Sequence, residues 1–174
     1  MEPKNTEEWV ARANIVQYQQ YRALYEGFSA HMWEWYAAVL IWKSSSPWPA
    51  LRGALYDYYL RQSAGFYGVR KALREVCHVQ MDAVEENADE RARSIRIVNK
   101  SPMAHEHMQL HVTTFAISGE VVTEHTYNDI NVKGNSVYSL EESSQAAAET
   151  MNNKSIFFTR LLLFQPSTTD LALA

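Results

Sequence analysis

The apolar positions along this chain keep two different rhythms, and the change falls near residue 76. Trp9, Ala13, Val16, Leu24 and Phe28 recur on one helical face, interrupted by Gln20. Asn5 with Glu8 three residues on has the form of a capping box, so the pattern predicts a helix from Thr6 to Ser29. The continuous apolar run "AAVLIW" at 37–42 has the length and composition of a strand buried on both faces, as in a parallel sheet. Pro47 and Pro49 then impose an extended loop around Trp48, since each proline biases its predecessor away from helix. Two short helices are predicted next, near Ala50–Leu60 and Phe66–Leu73. Helix, buried strand, loop and helix make one and a half units of an α/β fold. By itself such a strand would leave its ladder groups unsatisfied.

After Cys77 the period shortens to two. "HVQMD" and "RSIRIVNKS" read as strands, with Ile95 and Ile97 alternating against Arg96 and Val98. In "QLHVTTFAIS", Leu110, Val112, Thr114 and Ala116 share a face. "EVVTEHTYNDINV", "NSVYSL" and "SIFFTRLLLF" bring the total to about six strands, at the spacing of a β-sandwich. Residues 85–94 read as a charged hairpin excursion and 143–155 as a polar loop or short helix. The two regions meet near Glu75 and Val76 without a flexible linker.

Composition sharpens this division. All five tryptophans and most of the ten tyrosines fall before residue 70. The 174 residues carry 47% hydrophobic and 21% charged side chains, as a soluble globular protein does. A net charge of −4 with no long basic run argues against nucleic acid as a partner. The opening "MEPKNTEEW" has no apolar core and does not read as a signal peptide, and no run is long enough to cross a bilayer. The single cysteine, Cys77, reads as a small hydrophobe rather than a nucleophile.

Three stretches carry a resemblance: "ANIVQYQQYRALYEGFSAHMW", "AAVLIWKSSSPWPALRGALYDYYLRQSAGFYGVRKAL" and "HVQMD". Together, over residues 13–81, they resemble the C-terminal part of glycoside hydrolase family 2. The subgroup is that of mannosylglycoprotein endo-β-mannosidases and exo-β-D-glucosaminidases. Beyond residue 82 the resemblance rests on the strand pattern. It implies that residues 1–75 are the C-terminal fragment of a TIM-barrel catalytic domain, the last helix-strand-helix portion of a (β/α)8 barrel. Residues 76–174 are then an all-β immunoglobulin-like sandwich that stops early, at "QPSTTDLALA". It further implies a retaining glycosidase acting on β-linked mannosides or glucosaminides with two glutamates and no cofactor. Both glutamates would lie upstream of Met1, in a missing N-terminal part of the same enzyme, leaving the chain inactive alone.

The candidate site residues follow. Active sites of such barrels lie at the C-terminal ends of the strands, so Trp42 would stand on that rim with its indole open to a sugar face. Without the family, Trp42 reads as core. Trp48 is a second candidate, or a loop anchor. Lys43 is either a rim contact or a solvated strand end. Arg52 could pair with a barrel carboxylate, and Asp57, among tyrosines, suits a structural hydrogen bond. Glu26 and Glu34 are the carboxylates nearest the aromatic cluster. A retaining pair stands about 5–5.5 Å apart, and one of these falls on a helix while the other precedes the strand, so no catalytic residue is assigned. The six histidines show no metal motif; His105 and His107 flank Glu106 at a predicted turn without a third ligand. Asn99 and Asn153 match the glycosylation acceptor pattern. The rival reading is a non-catalytic carbohydrate-binding or interaction sandwich. It requires a row of exposed aromatics, for which Tyr127, Tyr138 and Phe157 or Phe158 are the candidates.

Overall fold

The computed structural model describes residues 2–50, 53–81, 95–140 and 157–165. The expectations on Arg52, residues 85–94, residues 143–155, Asn153 and the segment after Gln165 lie outside the described residues. The chain divides into two compact units, Met1–Glu75 and Val76–Ala174.

The first unit begins with α1 (Thr6–Ala30). Asn5 caps it, its side-chain oxygen accepting from the Glu8 N–H at 2.8 Å. The return bond of the box comes to Glu8 from the Lys4 N–H, at 2.7 Å, one residue earlier than the sequence pattern suggests. Helix α2 (Ala64–Arg74) follows a long irregular connection, with Ser63 as its N-cap and Lys71 and Arg74 in its last turn, where the helix dipole favours cations. Three small residues of α2, Gly65, Gly68 and Ala72, are buried and let the two helix backbones close together. Gly68 lies against the Tyr18 carbonyl, and Gly65 lies under the Tyr21 ring.

That packing overturns the predicted inner face of α1. The covered side runs through Gln17, Tyr18, Tyr21 and Arg22, while Trp9, Val16 and Leu24 remain exposed. The glycine surface of α2 selects the α1 side whose backbone it can reach; of the apolar stripe, Trp9, Val16 and Leu24 go uncovered among the described residues, while Ala13 is half-buried and Phe28 packs on the Tyr36 ring.

Two further expectations need correction. "AAVLIW" joins no ladder among the described residues, and Leu40 is 95% exposed. An apolar strand needs neighbours to take its N–H and C=O groups, and the described residues of this unit supply none. Residues 53–60 are a bonded loop rather than a helix. Tyr56 donates its N–H to the Ser44 carbonyl at 2.8 Å, and the Asp57 carboxylate collects the N–H groups of Tyr59 and Arg61 at 2.8 and 2.9 Å. Such an Asp-centred turn competes with the helix for its own donors. Leu60, at φ +61°, then leaves the helical region altogether.

The described residues of the second unit form six strands: β1 (Cys77–Met81), β2 (Ile95–Asn99), β3 (His105–Ala116), β4 (Val121–Val132), β5 (Ser136–Leu140) and β6 (Phe157–Phe164). They form two three-stranded antiparallel sheets, ordered β1-β2-β5 and β4-β3-β6. One core joins them: Ile95, Ile97 and Leu140 from the first sheet meet Met108, Leu110, Ile130 and Val132 from the second. Cys77 packs against this core, and burial pushes its thiol up from the ordinary range, as befits a hydrophobe. The alternation in β2 is incomplete, since Val98 is buried as fully as Ile97.

The segment His105–His107 opens β3 rather than forming a turn. A register shift there, with His107 at φ +54°, turns the His107 ring to the Asp129 carboxylate at 2.6 Å. Asn99 is fully buried. Its amide nitrogen donates to the carbonyls of Met103 and Lys133, and its oxygen accepts from the Ser101 N–H. A side chain so enclosed presents no acceptor to a glycan.

Candidate functional site

The predicted site residues all lie on the connection between α1 and α2. Trp42 is 96% exposed, its indole projecting free at the end of the unpaired apolar run. Its peptide bond to Lys43 is cis. Lys43 is half-buried, with its ammonium 5.2 Å from the centroid of the Trp48 ring, a cation–π distance. Trp48 is itself 53% exposed. The loop beneath it is held by Ser46, a buried residue whose hydroxyl donates to the Trp48 carbonyl at 2.7 Å. The structure thus joins Lys43 to Trp48 directly. It brings Trp42 and Lys43 together on one cavity.

That cavity, of about 360 Å³, is lined by Tyr21, Trp42, Lys43, Gly53 and Ala54. A second, of about 530 Å³, runs between Gln17, Gln20 and Leu24 of α1 and the segment Val39–Ile41, and shares Tyr21, Trp42 and Gly53 with the first. Tyr21 is therefore the residue that sequence reasoning passed over. Its ring covers Gly65 and its hydroxyl donates to the Gly53 carbonyl, which fixes the floor between the two hollows. Its only signal was position: an aromatic beside Gln20, next to the predicted apolar face rather than among its named members.

Chemically, this surface offers a flat exposed indole, a held cation and amide or phenol hydrogen-bonding groups. No carboxylate lines either cavity among the described residues. Glu26 is paired with Arg22 on α1 at 2.8 Å, and Glu34 with the His31 ring at 3.2 Å. Asp57 is bound into its turn, and the Arg61 backbone N–H, helped by the Arg61 guanidinium, holds its carboxyl below the ordinary carboxylate range. Among the described residues no cluster of three His, Cys, Asp or Glu side chains could hold a metal ion. No described helix is long and apolar enough to cross a membrane.

Comparison with known proteins bears on the rest. No family model matches the chain. Mannosylglycoprotein endo-beta-mannosidase of Lilium longiflorum is 33% identical over 170 residues, which cover 98% of this chain and 17% of that enzyme. Exo-beta-D-glucosaminidase of Streptomyces avermitilis is 27% identical over 140 residues, covering 79% of this chain and 15% of that enzyme. The chain therefore spans about a sixth of the length of these relatives. In three dimensions, the exo-chitosanase CsxA of Amycolatopsis orientalis superposes on 93% of the chain and 18% of its own, with a TM-score of 0.70 and 20% identity, a likeness of fold. These matches agree with the resemblance carried by residues 13–81: the chain corresponds to the C-terminal region of the family 2 glycoside hydrolases that include mannosylglycoprotein endo-β-mannosidase and exo-β-D-glucosaminidase.

Proposed function

We propose that this chain is the C-terminal part of a retaining glycosidase that hydrolyses β-linked mannosides or glucosaminides. Residues 1–75 complete a (β/α)8 barrel, whose other strands would supply the ladder that 37–42 lacks among the described residues, and residues 76–174 form an immunoglobulin-like sandwich. Trp42, Lys43 and Trp48 line one wall of the sugar site. The acid/base and nucleophile glutamates come from chain preceding residue 1. A covalent glycosyl-enzyme intermediate forms on the nucleophile and is then hydrolysed.

The observation that carries this reading is the indole of Trp42. A tryptophan 96% exposed at the end of an unpaired apolar run is costly unless something covers it, and a sugar's axial C–H face fits it at little conformational cost. The unladdered run 37–42 and the uncovered stripe of Trp9, Val16 and Leu24 support the same reading, since barrel neighbours would cover both. The rival reading, a sandwich that binds carbohydrate by itself, loses two of its aromatics. Tyr127 and Tyr138 pack against the core rather than facing out.

Sequencing the gene upstream of the codon for Met1 tests the proposal. A continuing reading frame that encodes two glutamates at the ends of barrel strands is the expected result. An in-frame stop codon immediately upstream would overturn it.

A further inference from the structure

We infer that Lys43 sets the charge preference of the sugar site, favouring a neutral β-mannoside over a β-glucosaminide whose 2-amino group is protonated. The inference rests on the reading of Trp42 as a wall of that site. Lys43 is no freely waving surface lysine. Its side chain is half-buried, its ammonium rests 5.2 Å from the Trp48 ring centroid, and that ring sits on a loop stiffened by Pro47, Pro49 and the Ser46 hydrogen bond. The cation is thereby kept beside the cavity that Trp42 shares. The other described residues lining that cavity, Tyr21, Trp42, Gly53 and Ala54, carry no charge at neutral pH, so Lys43 decides the sign of the local potential.

The relatives are named for sugars that differ at C2, where mannose has an axial hydroxyl and glucosamine an equatorial amine that carries charge when protonated. One is named for mannosylglycoprotein and others for glucosaminide, an amino sugar. An ammonium on the sugar would approach the fixed ammonium of Lys43 in a partly desolvated hollow, where like charges repel more than in bulk water. The uncharged 2-hydroxyl of a mannoside meets no such repulsion and can accept a hydrogen bond from the lysine.

The test uses the full 174-residue chain and ligand-detected NMR with methyl β-D-mannoside and methyl β-D-glucosaminide. At about pH 5.5 the amine is charged, and at about pH 9 it is neutral, by analogy with an α-amino group. The mannoside is expected to bind about five-fold or more tighter at the lower pH, with the preference falling as the amine loses its charge at the higher pH, as charge repulsion predicts. Lys43→Met should remove the preference at the lower pH by strengthening glucosaminide binding, and Lys43→Arg should retain it. Equal affinities at both pH values, or a preference unchanged in Lys43→Met, overturn the inference. Trp42→Ala separates this failure from the other. If it abolishes binding of both sugars while the preference proves absent, the site stands and the role of Lys43 falls. If neither sugar binds the unaltered chain, or Trp42→Ala changes nothing, the role of Lys43 falls together with the Trp42 wall, whereas the barrel reading is decided separately by the upstream reading frame.

Discussion

Gly68 of α2 rests directly on the backbone of α1 at Tyr18, so closely that a Cβ at 68 would run into the Tyr18 carbonyl and come within 3.2 Å of the Arg22 nitrogen. Replacing a mid-helix glycine by alanine ordinarily gains about 1 kcal/mol of helix propensity. Here the obstacle is backbone, which cannot swing aside as a side-chain tip can. Overpacking costs of about 1–3 kcal/mol should exceed the propensity gain. Gly68→Ala is expected to lower the urea midpoint of the first unit, and a midpoint unchanged or raised would contradict the close approach.

Asn99 supports the prediction with the largest effect on stability. Its amide bonds the Met103 and Lys133 carbonyls at 2.8 and 3.0 Å and takes the Ser101 N–H at 3.0 Å, joining two turns inside the second unit. Asn99→Ala strands three backbone groups, each about 1–3 kcal/mol when buried without a partner, although water entering the hollow would recover part of that. We expect a loss of about 2–4 kcal/mol in denaturant unfolding. The same variant should leave any glycosylation pattern of the protein as it was.

Asp57 gives a pH dependence with a defined sign. Its folded carboxyl titrates below the ordinary value, chiefly because the Arg61 backbone N–H bonds to the ionised form. A group so depressed contributes stability above its unfolded pKa and loses it as pH falls through the folded one. The Asp57–Arg61 turn should therefore hold at neutral pH and open at acid pH, below the ordinary aspartate range. Amide exchange at Arg61 would accelerate on acidification relative to its intrinsic rate, and Asp57→Asn should flatten that response.

Trp42→Ala should separate function from folding. Because the side chain is almost wholly exposed, its removal should leave the unfolding midpoint of the chain unchanged. In the full-length enzyme the loss of a rim aromatic should cost about 1.5–3 kcal/mol of sugar contact, a ten-fold or greater drop in kcat/KM. Near-normal kinetics would remove Trp42 from the site.

The 174 residues alone should not turn over aryl β-mannosides or β-glucosaminides. Glycosidic cleavage needs a proton donor and a nucleophile or base placed together across the anomeric carbon. Glu26 and Glu34 are instead held by Arg22 and His31, away from the cavities at Trp42. Turnover above the buffer rate that Glu26→Gln or Glu34→Gln abolishes would refute this.

Much of the architecture was readable residue by residue. Asn5 with Glu8 announced the start of α1, and the period-two alternation located all six strands of the second unit, because cap chemistry and burial on one face act over a few neighbouring residues. Trp42, Lys43 and Trp48 could be singled out only through the family resemblance, since the apolar run by itself reads Trp42 as core. What stayed hidden depends on groups distant in sequence. Which side of α1 is covered was decided by three small residues some fifty positions away on α2, and Tyr21 entered the site through that choice. The apolar pattern pointed to a neighbouring side because it records what can be buried, not which partner is present to bury it. Likewise "AAVLIW" carries the composition of a strand, but a strand exists only once neighbouring backbones take its hydrogen bonds. Residues 53–60 had helix-forming side chains, and the Asp57 carboxylate took their amide donors for a turn. Local sequence determined the caps, the alternation and the chemical character of the Trp42 surface. Tertiary contacts alone decided which of those surfaces close on each other, because burial is a property of pairs of elements.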